Sequence, residues 1–414
     1  MRAAALYLGF AALGVSGTYW RPLLGHWQLR YGLSDAALGR LFALAGLAGL
    51  VGALVMTRVS RFPRAGIGLA SFLLLGSTGV LPCDVSLVTF TAAIVALGLA
   101  LGVLSVGFNH LASAGDRVGQ SGRLGRFHAL YSAGAGIGGL AAPVLATWSS
   151  ASFSMVAGGM LCAVAAILSI MVPTEGEAPK ASAESISTAE ATPGVPARGK
   201  HLAFVAIAAG FAASTVDASL ASWGPALARR DLLAPPAFAG LPYAAFALGV
   251  FLGRMRLDSF AAAREASALM RFATMGALSA TALFALFAEA DQLSTALVAG
   301  LLCALGAILG WLMPLAVRLC GAAVVPGRAI AWVVVGCYAG AFAGPWCVGV
   351  LVDAASGNTA VVTMFGATVV ASRVARALSA TLLLSLVPLG IAFASLAASR
   401  RLRAPGYRPR GVQP

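Results

Sequence analysis

PTEGEAPKASAESISTAEATPGVPARGK, residues 173–200, has no apolar face of helical or strand period, and it divides the chain in two. Rich in Pro, Ala, Ser, Thr and Glu, it offers too little apolar surface to offset the entropy of ordering it, so it reads as a disordered tether. Six apolar runs precede it, near 3–25, 37–57, 65–82, 86–109, 127–148 and 152–172. Six follow, near 201–226, 236–255, 272–288, 293–317, 329–351 and 377–398. Each approaches the ~20 residues with which a helix crosses about 30 Å of hydrocarbon. The chain is 59% hydrophobic and 10% charged, which excludes a soluble domain with its usual ~25% of charged residues. The short alternating segments of an outer-membrane barrel are absent, which leaves helices as the spanning element. The expected fold is therefore an all-α membrane protein with twelve transmembrane helices in two six-helix bundles. Its divisions are 1–172, the linker 173–200, 201–400 and a basic tail, 401–414.

A net charge of +14 would suit nucleic acid if it were clustered on a soluble face, but it follows the loops. With the chain started inside, 21 of the 28 Lys and Arg residues fall on the cytoplasmic side: Arg2 and those within 58–64, 117–126, 180–200, 254–271, 318–328 and 400–410. The positive-inside rule makes that a topology signal, with both termini cytoplasmic, and excludes a nucleic-acid partner. Arg2 and the run ending ALGVSG imitate a secretory signal, but eleven further spans follow, so an uncleaved first helix is expected. Six cysteines show neither CxxC nor metal-ligand spacing, so packing is their expected role and no metal is called for.

The two halves repeat. Shifting the chain by 196 sets 6–58 on 202–254 with ten of 53 positions identical, among them Trp27 on Trp223, Asp35 on Asp231, Phe42 on Phe238 and Arg58 on Arg254. Coincidences of Trp, Asp and Arg are uncommon in a chain of this composition. A second register sets Gly134-xxx-Gly138 on Gly340-xxx-Gly344. Parallel repeats of six helices are the plan of many secondary transporters.

Over essentially its whole length the sequence resembles the major facilitator superfamily, and within it the branch around MosC and the fucose-permease-like transporters. The resemblance rests on GFNHLASAGDRVGQSGRLGRFHALYSAGAGIGG (107–139), YAAFALGVFLGRMRLD (243–258) and GPWCVGVLVD (344–353). It implies a major facilitator fold in which spans one, four, seven and ten line a central cavity. Departures are visible. The superfamily's loop motif after span two appears as TRVSRFPR (57–64), with Arg58 kept and Arg61 in place of its acid, whereas the second half keeps Arg254 and Asp258. In span seven, relatives carry a Glu five residues before the acid and a Trp just after it, where this chain has Ala212 and Ala218.

The residues singled out for function begin with Asp217, an acid within a span, costly there by roughly 2.5–3.5 kcal/mol. The 196-residue shift takes it to Arg21. These two are expected to face each other as an ion pair, with gating or proton coupling as the functional reading and a permanent structural pair as the plain one. Tyr19, Trp20, Trp223, Tyr243, Trp311 and Tyr338 are candidates for the substrate cavity, against the alternative of interfacial anchors. Trp311 leads because Pro314 interrupts its helix. Asn109 and His128 are candidates for an inner gate, or for a hydrogen bond that pins the loop 110–126. The glycines of 134–139 and 336–349 read as close-packing faces.

No phosphate-binding GxxxxGK[ST] loop and no catalytic cluster outside the spans is present in the sequence. An enzyme, a cofactor and ATP-driven pumping are therefore not expected. The function expected is a secondary active permease of the inner membrane for a small organic solute. It would be proton-coupled and monomeric, with the lipid bilayer as its other partner. The rivals are an efflux antiporter for an amphipathic drug or metabolite, and a non-transporting receptor that kept the fold. For the apolar insertion 359–371 a re-entrant or surface-lying helix is the expectation.

Overall fold

The structure is a computed structural model; it describes residues 2–59, 63–116, 123–171, 197–261, 266–288, 295–321, 326–355, 361–364, 367–370 and 374–401. Nearly all of the linker and the tail therefore lie outside the described residues. The linker's last four residues do not: the helix after it begins at Ala197, so the tether is shorter than its composition suggested.

The first half holds α1 (Arg2–Thr18), the short α2 (Leu24–Arg30), α3 (Asp35–Arg58), α4 (Pro63–Val80), α5 (Leu87–Asp116), α6 (Arg123–Trp148) and α7 (Ala151–Met171). The second holds α8 (Ala197–Ala226), α9 (Leu241–Ala261), α10 (Ala266–Ala288), α11 (Thr295–Leu309), α12 (Leu312–Gly321), α13 (Pro326–Ala355) and α14 (Val374–Arg401). Among the described residues ten helices are long and apolar enough to span a membrane, and two shorter apolar ones, Ala4–Thr18 and Arg64–Val80, complete the twelve. Lipid-facing surfaces carry exposed large side chains such as Leu54, Leu69, Phe72, Leu161, Phe272 and Met275. Inside, small hydroxyls return their bond to the preceding turn, as Ser16 Oγ does to the Ala12 carbonyl at 2.7 Å, which lets them sit in an apolar core.

The repeat governs the packing. In the first half α1 packs on α6 and α7, α3 on α5, and α4 on α5 and α7. In the second, α8 packs on α13 and α14, α9 on α11, and α10 on α11 and α14. A Cβ on Gly134 would overlap the Ala11 carbonyl and one on Gly336 the Ile207 carbonyl, so the helices touch backbone to backbone at both places. Ala11 and Ile207 are 196 residues apart, as the first register requires. Gly134 therefore answers to Gly336, and the pairing of Gly134 with Gly340 is corrected by one turn. Glycines spaced by four at 336, 340 and 344 allow that slip, because a turn's displacement still sets glycine on glycine.

The halves meet along two helix pairs, α3 with α13 and α6 with α9. At the first, a Cβ on Gly39 would stand 2.9 Å from the Pro345 carbonyl oxygen. Where a helix was expected in 359–371 the structure has an antiparallel hairpin, β1 (Val361–Met364) paired with β2 (Ala367–Val370). Six of those eight residues are β-branched Val or Thr, a strand signal that apolarity masked. In span ten the break falls at Gly310–Trp311; Pro314 sits in the first turn of α12, where its missing N–H is harmless.

Candidate functional site

The face where α1 begins is here the near face and its opposite the far face. Beyond Thr18 the first span opens into a turn over residues 19–23 before α2. Pro22 has no N–H to continue the ladder, and the Thr18 carbonyl accepts instead from the Arg21 N–H at 3.2 Å. Arg21 Nε donates back to the Gly17 carbonyl at 3.0 Å, while Nη1 crosses to α8 and donates to the Ala218 carbonyl at 3.1 Å and Ser222 Oγ at 2.8 Å. Arg21 thus joins the two first helices of the repeat.

Asp217 lies one residue before that carbonyl. Its Oδ1 accepts from the Tyr243 hydroxyl of α9 at 3.2 Å. Among the described residues no ion pair joins Asp217 to Arg21; the guanidinium holds the backbone of Asp217's helix instead, within electrostatic reach of the carboxylate. The expected direct pair is replaced by a looser one. A second guanidinium, Arg254, is also within that reach. Tyr131 of α6 stands among all three, its hydroxyl beside Gly17.

Arg254 was expected in a loop motif beside Asp258, but it lies within α9 and turns inward. Its Nη1 donates to the His128 carbonyl at 2.8 Å and to Ser132 Oγ at 2.7 Å, both on α6 of the other half. Arg58, its counterpart by sequence, is exposed at the end of α3, and the side chain of Asp258 lies outside the described residues. From Tyr243 to Arg254 is about 16 Å along α9 at 1.5 Å per residue. Arg21, Asp217, Tyr131 and Arg254 therefore form a column along the seam. Each keeps partial exposure although it faces the opposite half, so the column borders a space between the halves.

On the far face the seam is closed. Trp20 is fully buried, with its ring 5.9 Å from Phe42, which meets Trp223 of the other half edge-on at 6.3 Å. Trp223 Nε1 donates to the Pro345 carbonyl at 2.9 Å. Beyond them Asp35, at the start of α3, takes both ends of the Arg230 guanidinium at 2.8 and 2.9 Å, and Gln28 donates to the same carboxylate at 2.9 Å. Arg230 gets there through a π-helical turn, Leu227–Asp231, that widens the end of α8. Its neighbour Asp231 accepts from the Ala375 N–H and so caps α14. Trp20 and Trp223 thus lie in a lid over the column.

The other candidates are distributed differently. Tyr19 packs inside the first half, close against Gly158 of α7, away from the seam. Tyr338 does reach the seam: a Cβ on Gly49 of α3 would stand 3.2 Å from its ring. Trp311 Nε1 donates to the Gly253 carbonyl at 2.8 Å, one residue before Arg254, and fixes α12 against α9. Asn109 and His128 do not bond to each other. The Asn109 amide donates to the Ser105 carbonyl on its own helix at 2.8 Å, and the His128 ring rests on Phe10, 5.5 Å away. Sequence reasoning missed Tyr131, Ser132, Ser222, Gln28 and the Asp35–Arg230 bridge. For Asp35 a signal existed, since it is one of the scarce residues repeated between the halves. Among the described residues no cluster of His, Cys, Asp or Glu is arranged to hold a metal.

No protein-family model matches the chain, and no curated protein matches it. Solved structures do. A crystal structure of a variant of the nucleoside transporter NupG superimposes with a TM-score of 0.68 over 96% of this chain and 99% of that one, at 11% identity. A D-xylose–proton symporter gives 0.65 over 94% and 96%, at 14% identity. A bacterial homologue of the human lysosomal transporter Spinster, inward-facing and occupied, gives 0.61 over 98% of each chain, at 18% identity. At these identities the likeness is one of fold: twelve helices in two six-helix bundles, the major facilitator fold.

Proposed function

We propose that this chain is a secondary active transporter, a permease that carries a small organic solute across the membrane by alternating access, with protons as the coupling ion. The observation that carries the reading is the polar column between two repeated halves, sealed on one face by a latch made of side chains from both. A buried Asp–Tyr–Arg group is expensive in a membrane protein and marks a pathway rather than a packing core. The fold shared with transporters for a nucleoside and for D-xylose supports it. The narrower placement, in the branch around MosC and the fucose-permease-like transporters, rests on 107–139, 243–258 and 344–353. Proton coupling rests on Asp217, which is placed to bind and release a proton as the seam opens and closes.

The protein is taken as a monomer of the inner membrane with both termini and the linker cytoplasmic, so that the far face is external. Labelling of single cysteines with an impermeant maleimide is expected to find 228–236 from outside and 400–414 only after permeabilisation. An external C-terminal tail would overturn the orientation.

Transport itself is tested in proteoliposomes that enclose a pH-sensitive dye. Small organic solutes, acids, sugars and nucleosides among them, are added outside one at a time. At least one is expected to drive a change of internal pH that Asp217→Asn abolishes. A solute that binds the purified protein but moves neither itself nor protons would favour the receptor instead.

A further inference from the structure

Arg254 is anchored by one nitrogen only. Both of its hydrogen bonds leave from Nη1, whereas Nε is shut away from water with no acceptor and Nη2 donates to nothing among the described residues. Nε and Nη2 form one edge of the guanidinium, the edge that grips a carboxylate with two parallel bonds. Arg21 is similarly placed: Nε and Nη1 are engaged, and its Nη2 donates to nothing among the described residues. A buried donor without an acceptor is a standing cost, and it is conspicuous in a residue whose other nitrogen is so well held. The column also carries an uneven charge, with two guanidiniums that stay protonated and a single carboxylate, Asp217.

We propose, on the reading of the seam as a solute site, that the substrate is a small organic monoanion with a carboxylate group, which the free edge of Arg254 grips, and that it is bound together with a proton. Arg21 supplies the second positive charge, and Tyr131, Ser132 and Tyr243 offer hydroxyls along the column. A monoanion offsets the excess positive charge of the column, from +1 to zero with Asp217 ionised and from +2 to +1 with it protonated; a neutral sugar leaves the excess as it is, and a cation adds to it.

Repulsion between the bound anion and the Asp217 carboxylate fixes the sign of coupling. Asp217 is faced by Arg21 from the turn after α1, Tyr131 from α6, Tyr243 and Arg254 from α9 and Cys337 from α13. Of these only the arginines carry charge, and the carboxylate is their sole counter-charge in the column. An anion arriving beside ionised Asp217 meets a like charge; a proton on Asp217 removes it. Proton and anion therefore strengthen each other's binding by the same factor, as linkage requires. Co-binding of this sign is symport.

The test uses the purified full-length protein and pairs of probes matched in shape: lactate with lactamide, benzoate with benzamide, and gluconate with glucose. Each is added at millimolar concentration, and the shift in melting temperature is followed over a pH range in which the acids stay ionised. At least one carboxylate is expected to stabilise the protein more than its neutral partner, with an affinity that rises as pH falls. Asp217→Asn should flatten that pH dependence. Arg254→Gln should weaken binding roughly tenfold, the worth of a charge-assisted hydrogen bond. Arg254→Lys, which keeps the charge but not the fork, guards against a glutamine variant that fails to fold and should fall between. Neutral partners that stabilise as well as the acids overturn the proposal. So does a preference that survives both Arg254 variants, or a panel in which no acid has any effect. Transport of a neutral solute in the proteoliposomes would sink the anion and spare the transporter, whereas anion binding without flux would do the reverse.

Discussion

Asp217→Asn is expected to yield a folded protein that equilibrates its solute but no longer accumulates it against a gradient. The substitution is nearly isosteric, and an amide oxygen accepts the Tyr243 bond as a carboxylate oxygen does, so the geometry of the seam is kept. What disappears is the proposed proton site. For one proton carried per solute, a pH difference of one unit supports about tenfold accumulation in the native protein, and in the variant the ratio should stay at one. The stability cost is expected to be modest, about 1–3 kcal/mol, because Arg21 and Arg254 each retain a backbone carbonyl and a serine hydroxyl. Counterflow in proteoliposomes with and without a pH gradient measures both properties. Full gradient-driven accumulation by Asp217→Asn would remove Asp217 from the coupling step.

That geometry also changes what a charge swap means. From the sequence, Arg21 and Asp217 stood at equivalent places in the two halves and a direct pair followed. Equivalent positions in a repeat face one seam, but whether two charged tips meet depends on local backbone. Here Pro22 opens the first span, and Arg21 leaves from a turn toward Ala218 and Ser222 rather than toward Asp217. Exchange of the two residues is accordingly not expected to restore the wild-type contacts.

The architecture was legible because lipid is a simple solvent. Run length, the basic loops and the one polar segment at 173–200 sufficed to place twelve helices in two halves. The column was only half legible. Asp217 and Arg21 stand out as charges in apolar runs, whereas Arg254 sits near a helix end in company with Arg256 and Asp258, where a loop motif is the natural reading. Only the turn of α9 shows it aimed at α6. Tyr131 and Ser132 give no sequence signal, since hydroxyls are ordinary in these helices and their partners lie on another one. Trp20 misled in the opposite direction: as an aromatic of the first span it was a candidate for the cavity, but its ring is fully buried in the far-face lid.

The lid supplies the second large effect. Asp35→Asn should speed labelling from the far face of a cysteine placed at Phe42, in a background free of native cysteines, about fivefold. Among the described residues Asp35 is the one carboxylate that ties the first half to Arg230, and its side chain is 13% exposed against 42% for the arginine. That exposure screens the pair and keeps it far below a fully buried bridge. A two-pronged contact supported by Gln28 nonetheless exceeds an ordinary surface pair, so about 1 kcal/mol is reasonable. Spent wholly on the closed far face, that shifts the ratio of closed to open about fivefold. Arg230→Gln should act alike, because it breaks the same contact from the other half. Arg230→Asp combined with Asp35→Arg should restore closure in part. The rescue falls short for two reasons: an arginine at position 35 sits at the positive end of α3, and it cannot accept the Gln28 bond. If labelling at position 42 is indifferent to both neutral variants, the Asp35–Arg230 bridge does not hold the far face closed.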